Sequence, residues 1–108
     1  MPENTALTET TYYILLSLHT PRHGYGIMQR AAELSGGRIR LAAGTLYGAL
    51  NAMCDKGWIL LLPGDGRKKE YQLTPRGLDI LKKELARLRE LVSSGDLVMK
   101  EEVKCLNE

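Results

Sequence analysis

Apolar residues recur at helical spacing between residues 41 and 57, where the sequence reads LAAGTLYGALNAMCDKG. On a helical wheel, a compact apolar stripe lies within about 60° of Leu46. This stripe comprises Leu46, Ala49, Leu50 and Met53. Lys56 adds a cation to the last turn and Gly57 ends the pattern, as at many helix C-termini. The spacing therefore predicts a central helix that packs this stripe against a core.

The opposite side of the central helix is unusually small for a solvent-exposed face. It carries Gly44, Gly48, Asn51 and Asp55, with Thr45 and Ala52 on one flank and Tyr47 on the other. Each interior glycine costs a helix roughly 1 kcal/mol relative to alanine, so this face favours the close approach of a large partner. Asparagine pairs with adenine edges, and the methyl groups of threonine and alanine suit the thymine methyl. The face is equally typical of a marginal surface helix, or of one that packs against another protein element.

The segments before the central helix show two further helical patterns and one extended pattern. Residues 8–20 and 24–35 each place apolar residues along one helical face, and polar or glycine residues bound both segments. The short run RIRL at residues 38–41 alternates basic and apolar residues. These patterns predict two helices followed by a short strand.

A hairpin with a basic tip is predicted after the central helix. The apolar run at residues 58–62 and the segment at 70–73 have the length of strands, and the turn sequence PGDG at 63–66 separates them. Three cations follow the turn directly: Arg67, Lys68 and Lys69. A run of this kind is usually a solvated face. Beside a small-faced helix, it is also typical of a wing that contacts phosphates.

A long helix with an apolar seam is predicted after the hairpin. Thr74 and Pro75 are typical of the N-cap and the first position of a helix. Apolar residues then recur at alternating short spacings, as in two heptads of a coiled coil. This leucine seam comprises Leu78, Leu81, Leu85, Leu88 and Val92. We expect the helix to end at the Ser-Ser-Gly sequence of residues 93–95 and to pair with a second copy of the chain, with packing inside one chain as the alternative.

Positive charge is concentrated in the middle of the chain. The 108 residues carry a formal net charge of +2. Residues 22–76 alone carry nine Lys or Arg against four Asp or Glu, a net charge of +5. A phosphate-binding domain requires an excess of this kind. The length is that of one domain with a modest core.

The sequence contains no recognisable motif for catalysis, metal binding or export. Serine and histidine residues stand outside nucleophile motifs, and Cys54 and Cys105 lack metal-ligand spacing. There is no apolar run of about 18 residues and no secretory signal pattern. We therefore expect a cytoplasmic protein with reduced thiols that is not an enzyme, holds no cofactor or metal and does not enter a membrane.

The order of predicted elements is that of a winged helix: helix, helix, short strand, helix, strand, basic loop, strand, long helix. The sequence itself is more specific. HGYGI at residues 23–27 and GTLY at 44–47 resemble the PadR family of transcriptional regulators, as do LTETTYYILLSL, KGWI and RKKEYQLTPRGLDIL. The resemblance extends from about residue 7 to residue 92 and fits the short subfamily, in which one long helix follows the wing.

The resemblance implies a mainly α winged helix-turn-helix fold with a small β-hairpin. It divides the chain into a DNA-binding domain at residues 1–73 and a C-terminal dimerisation helix with its tail at 74–108. It further implies a homodimeric repressor that binds a pseudo-palindromic site in double-stranded DNA and responds to a small-molecule effector or to stress. The expected DNA-binding residues are Tyr25, Gly44, Thr45, Tyr47, Gly48, Asn51, Arg67, Lys68 and Lys69. The expected dimerisation residues are Tyr12, Tyr13 and the leucine seam.

A protein-interaction module with the same fold and no DNA binding is the alternative function. The two functions differ in one measurable property, because an adaptor would show no salt-steep binding to random duplex DNA.

Overall fold

Four helices and three short strands make up the described part of the chain. The computed structural model describes residues 6–64 and 69–101. In chain order the elements are α1 (Glu9–Ser17), β1 (Arg22–His23), α2 (Gly24–Leu34), α3 (Ala43–Asp55), β2 (Ile59–Leu61), β3 (Glu70–Leu73) and α4 (Pro75–Lys100). This mainly helical chain, with one small antiparallel sheet and a long last helix, has the predicted winged-helix fold.

The apolar stripe of the central helix, α3, lies in the middle of the core. Leu46 and Leu50 are fully buried and Met53 is nearly so, which confirms the predicted packing face. They pack among buried side chains from α1, α2 and the sheet: Ile14, Leu15, Leu18, Ile27, Ile59 and Tyr71. Burying one such leucine stabilises the fold by about 1.5–3 kcal/mol. The core therefore determines which face of α3 remains outside.

Local hydrogen bonds set three helix ends where the sequence predicts them: the starts of α1 and α4 and the end of α3. The Thr8 and Thr74 hydroxyls accept backbone N–H groups in the first turns of α1 and α4. α3 ends in a Schellman turn, in which the Trp58 N–H donates to the Met53 carbonyl at 3.0 Å. Gly57 in this turn has φ = 77°, a conformation that other residues rarely adopt. The turn directs the chain from α3 straight into β2.

The predicted strand at residues 38–41 is wrong, and the third strand of the sheet is β1. β3 lies at the centre, with β1 on one side and β2 on the other, both antiparallel. Arg22 pairs with Tyr71, and its Nε atom donates to the Ser17 carbonyl at 2.7 Å, which ties β1 to the end of α1. Both edges of β3 are already paired, one with β1 and the other with β2. Residues 38–41 therefore cannot pair with β3. They form an irregular connection into α3.

α4 continues beyond the point at which the sequence predicts its end. The helix has 26 residues and passes through Ser93, Ser94 and Gly95 to Lys100. Glycine lowers helix stability by about 1 kcal/mol and serine by less, whereas proline removes a backbone donor and blocks the helix sterically. The predicted end at residues 93–95 is therefore wrong, because none of these residues forces a helix to stop.

The first turns of α4 pack tightly on the winged-helix core. Ile80 and Leu81 contact the core side chains. Gly77 is buried, and a Cβ atom there would lie 2.0 Å from the Trp58 carbonyl oxygen. The start of α4 is thus in backbone contact with the chain that leads into β2. The division of the chain into two domains at residue 73 stays a prediction.

A buried carboxylate on α4 holds the segment that precedes α1. Glu84 is only 2% exposed. It accepts two hydrogen bonds at 2.8 Å from the Arg87 guanidinium and one at 3.2 Å from the Leu7 N–H. The hydrogen bonds from Arg87 lower the pKa of Glu84, burial opposes them, and the Leu7 N–H lowers the pKa further. These contacts fix the start of α1 against α4.

Replacing Glu84 by glutamine should make the unfolding free energy depend less on acid pH. The folded pKa of Glu84 lies below its ordinary value of 4.5. The ionised carboxylate therefore stabilises the fold above that value, and its contribution is lost as the pH falls through the folded pKa. Chemical denaturation at neutral pH should show the variant less stable than the wild type, and the gap should narrow as the pH falls below 4.5 through the folded pKa of Glu84. Glu90→Gln, at an exposed position of the same helix, is the matched control, and a gap that persists at acid pH would contradict this role.

Candidate nucleic-acid interface

The side of α3 away from the core is exposed and small. Gly44, Gly48 and Asn51 are exposed, as are Thr45 and Ala52 beside them. A Cβ atom at either glycine would meet no heavy atom within 4 Å. The fold therefore does not require glycine at these positions, although each one weakens the helix by roughly 1 kcal/mol.

Tyr47 lies against the beginning of α2. A Cβ atom added to Gly24 would fall 2.2 Å from the Tyr47 hydroxyl oxygen and 2.8 Å from the ring carbon that bears it, so any larger residue there would require the Tyr47 ring to shift. The HGYG and GTLY sequences thus meet in space. Tyr47 keeps 45% of its surface exposed, and Tyr25, which follows Gly24, keeps 63%. Two exposed tyrosines therefore mark the junction of α2 and α3.

The hairpin that follows α3 places a cation at the surface. β2 and β3 pair antiparallel over three residue pairs, and the Leu62 N–H donates to the Glu70 carbonyl at 2.8 Å. Lys69 precedes β3 directly and is exposed. Arg67 and Lys68, the other two predicted wing cations, lie outside the described residues. The arrangement of α3 followed by a hairpin with Lys69 near its turn is that of a winged-helix domain.

The leucine seam keeps much of its apolar surface exposed in the single chain. Leu78 and Leu85 are exposed, and Val92 is 63% exposed, whereas Leu81 and Leu88 are partly buried. Single exposed apolar residues are ordinary, but a continuous row along one helix is typical of an association surface. Packing within its own chain therefore covers only part of the apolar surface of the seam.

The two α1 tyrosines have different neighbours. Their rings meet edge to face with centroids 5.8 Å apart. Tyr12 and three members of the seam line an open cavity of about 480 Å³. Tyr13 instead lies beside Arg38, whose guanidinium carbon is 5.9 Å from the ring centroid. Tyr12 is thus close to the predicted dimerisation surface, and Tyr13 is turned toward the connection into α3.

A known sequence family matches most of this arrangement. The profile of the Transcriptional regulator PadR-like family matches residues 14–83, which span α2, α3 and both hairpin strands and make up well over half of the chain. The chain belongs to the PadR-like family. It is accordingly a DNA-binding transcription regulator with a winged helix, and it is not an enzyme.

Solved structures of PadR-like and related proteins share the fold. A PadR family transcription regulator from Clostridium difficile R20291 superposes with a TM-score of 0.71 at 24% identity, over 85% of this chain and 99% of that one. RosR from H. salinarum gives 0.65 at 25% identity, over 85% and 96%. A PadR-like transcription factor from Bacteroides fragilis gives 0.66 at 26% identity, over 82% and 87%.

A curated relative is similar over a shorter segment. An uncharacterised 37.1 kDa protein in transposon TN4556 of Streptomyces fradiae is 39% identical over 64 residues. The alignment covers 59% of this chain and 18% of that protein. The PadR-like chain thus spans less than a fifth of the length of this relative. The two proteins are therefore similar in one segment only.

Metal sites, membrane-spanning helices and shifted pKa values can be assessed in the described residues of the PadR-like chain. Within residues 6–64 and 69–101, no group of three or more His, Cys, Asp or Glu residues is placed to hold a metal ion. No helix in those ranges is both long enough and apolar enough to cross a membrane. Burial, and secondly the charge of Asp55, raises the pKa of the Cys54 thiol, which favours its protonated form. Burial likewise raises the pKa of Tyr71 in the core.

The roles of two residues at the start of α2 are not evident from sequence patterns alone. His23 is the N-cap of α2, where its Nδ1 atom accepts the Gly26 N–H at 3.2 Å. Gly24 provides the space for Tyr47. The HGYG motif contains both, but the partner of Gly24 lies more than twenty residues along the chain. The contact between Gly24 and Tyr47 in the folded chain therefore explains why this motif contains a glycine.

Proposed function

We propose that this PadR-like regulator binds a pseudo-palindromic operator in double-stranded DNA as a homodimer and acts as a repressor. In the proposed complex, α3 of each protomer lies in the major groove with its small face toward the bases. The two α3 helices then enter successive major grooves, about 34 Å apart. The observation that carries the proposal is the pair of exposed glycines, Gly44 and Gly48, which the fold itself does not require.

The side chains of α3 favour A·T pairs at the positions that they contact. α3 contains neither Arg nor Lys, so it lacks the side chains of the common bidentate contact with guanine. Asn51 can pair with the adenine edge, and the methyl groups of Thr45 and Ala52 suit the thymine methyl. We assign base reading to Thr45 and Asn51 and the close approach of the helix to Gly44 and Gly48.

The remaining predicted DNA-binding residues suit the phosphate backbone. Tyr25 and Tyr47 are exposed at the junction of α2 and α3, and tyrosine hydroxyls commonly donate to phosphate oxygens. Arg67, Lys68 and Lys69 provide positive charge at the wing, which strengthens binding to any sequence through the release of counterions. These contacts position α3, whereas the base contacts provide sequence preference.

The leucine seam is the proposed pairing surface. The exposed row along α4, with Tyr12 and Tyr13 of α1 beside it, would be covered by the same elements of a second copy. Residues 1–73 would then form the DNA-binding domain, and residues 74–108 the dimerisation helix and tail. We further propose that a small-molecule effector binds near Tyr12, Tyr13 and the leucine seam.

Replacing Arg67, Lys68 and Lys69 together by alanine should weaken binding to all duplexes and flatten its salt dependence. The slope of log affinity against log salt concentration should decrease by up to about 0.9 for each phosphate that the wing no longer neutralises. Fluorescence anisotropy with a random-sequence duplex at several salt concentrations measures this slope. A matched variant removes three exposed cations from α4 instead: Lys82, Lys83 and Lys100.

The same titration separates the regulator from an adaptor. Steep salt dependence in the wild type and in the α4 variant, with a flatter slope in the wing variant, supports DNA binding through the wing. Equal slopes in all three proteins would remove the wing from the interface. Wild-type protein without salt-steep binding to duplex DNA would favour a protein-interaction module.

A further inference from the structure

The Lys and Arg residues that precede α4 differ in whether the chain itself provides a partner for them. Those with a hydrogen bond, an ion pair or a ring contact within the chain are Arg22, Arg30, Arg38 and Lys56. Among residues 6–64 and 69–73, Arg40 and Lys69 have no such contact with another described residue. Lys69 belongs to the wing. Arg40 is therefore the cation of the described helical part whose charge the fold leaves unpaired.

The backbone on both sides of Arg40 is held in place. The Ile39 N–H donates to the Ser35 hydroxyl at 2.8 Å, and Leu41 packs against the core. Ile39 and Leu41 are partly buried, whereas Arg40 between them is exposed. Its guanidinium lies over Gly37, where a Cβ atom would be 3.1 Å from Nη2. Arg40 thus carries an exposed guanidinium on a segment whose position the core fixes.

Arg40 stands at the N-terminal end of the small face of α3. It precedes the N-cap of α3, Ala42, by two residues and the exposed Gly44 by four. No Asp or Glu occurs between residues 34 and 54, so no acidic side chain from this part of the chain repels an anion there. Lys69 follows α3 on the wing. The two unpaired cations therefore stand before and after α3 in the chain, and the wing accounts for only one of them.

We propose that Arg40 binds a phosphate of the DNA backbone beside the N-terminal end of α3. A guanidinium matches a phosphate with two parallel N–H···O bonds, so the contact fixes orientation as well as adding affinity. It holds the start of α3 on the duplex while the wing holds the other side of the domain. The contact carries no sequence preference, because the phosphates are alike at every base pair. This assignment rests on the proposed placement of α3 in the major groove.

Arg40→Ala, Arg40→Lys and Arg38→Ala separate this contact from the effect of net charge. Fluorescence anisotropy with a random duplex at several salt concentrations measures the Kd and its salt dependence. Arg40→Ala should raise the Kd about tenfold at about 0.1 M salt, as for the loss of one charge-assisted contact. The slope of log affinity against log salt concentration should decrease by about 0.9. Arg40→Lys should keep the wild-type slope with a Kd between those of the wild type and Arg40→Ala, because lysine keeps the charge and lacks the paired donors.

Arg38→Ala is the matched control, because it removes the same charge two residues away. Arg38 already pairs with Glu9, so the slope of this variant should equal that of the wild type. Thermal unfolding of both Arg40 variants should match the wild type, since Arg40 is exposed. An unchanged slope in Arg40→Ala would overturn the contact. An equal decrease in Arg38→Ala would overturn it too, because net charge alone would then explain the loss.

Selection of bound sites from a randomised duplex library tests whether the contact is to the backbone. The wild type and Arg40→Ala should select the same sequence, and a different sequence would make Arg40 a base-reading residue instead. Gly48→Glu, on the small face of α3, separates this contact from the placement of the helix. Lost binding in Gly48→Glu with unchanged binding in Arg40→Ala would contradict the Arg40 contact alone. Unchanged binding in both variants would contradict the placement of α3 in the groove as well.

Discussion

Replacing Gly77 by alanine is expected to lower the free energy of unfolding by about 3 kcal/mol. The added Cβ atom would lie 2.0 Å from the Trp58 carbonyl oxygen and 3.2 Å from a methyl carbon of Leu73. The nearest atom is backbone, and it already accepts the Thr74 N–H at 3.0 Å, so it cannot rotate away as a flexible side chain would. The first turn of α4 must move instead. That shift also disturbs the bond from the Gly77 N–H to the Thr74 hydroxyl.

Gly95→Ala on the same helix is the control for helix propensity. A Cβ atom at Gly95 would meet nothing within 4 Å, so this substitution should stabilise the protein by up to about 1 kcal/mol. Urea denaturation followed by circular dichroism measures both variants. Opposite signs for the two glycines are the expected result. A Gly77→Ala protein as stable as the wild type would contradict the packing of α4 on the chain before β2.

Replacing Gly48 by glutamate should abolish most DNA binding without harming the fold. The new side chain begins in open space on α3, and glutamate is a better helix former than glycine. Stability should therefore be equal or higher. If this face lies in the major groove, the carboxylate meets phosphates and base edges at close range. We expect an affinity loss of at least about a hundredfold, equivalent to about 2.8 kcal/mol.

Ala86→Glu is the matched control for the added charge. Ala86 is exposed on α4, away from the proposed reading surface, so this variant should bind DNA within about threefold of the wild type, as counterion effects of one distant charge are small. Anisotropy with a random duplex compares the two variants, and thermal unfolding checks that both are folded. Equal losses in both would mean that net charge alone governs binding.

The sequence predicts the central helix well because its apolar stripe has a clear period. Leu46, Leu50 and Met53 are buried as predicted, since burial of a helix face leaves a regular mark on the sequence. Thr74 caps α4 as expected for the same local reason. The strand at residues 38–41 is wrong because alternation alone does not provide a pairing partner. The supposed end of α4 at Gly95 is wrong because weak helix formers do not stop a helix.

Contacts between residues that are far apart in the chain could not be predicted from the sequence. Glu84 has the pattern of a solvated helix residue, yet it binds the Leu7 N–H from the other end of the chain. Gly24 is explained only by Tyr47, which packs on it from another helix. A single sequence shows which residues are small or charged. The fold shows which small residues are required by packing and which, like Gly48, are not.

A magnetic resonance titration of isotope-labelled protein with a short duplex tests the central claim most directly. The backbone amides of the small face of α3 should shift most: Gly44, Thr45, Gly48 and Asn51. Lys69 at the wing should shift with them, and the exposed polar side of α4, including Lys82 and Ala86, should not. The largest shifts on α4 with an unchanged α3 would contradict the account, because DNA would then bind elsewhere than on the face that the two glycines keep small.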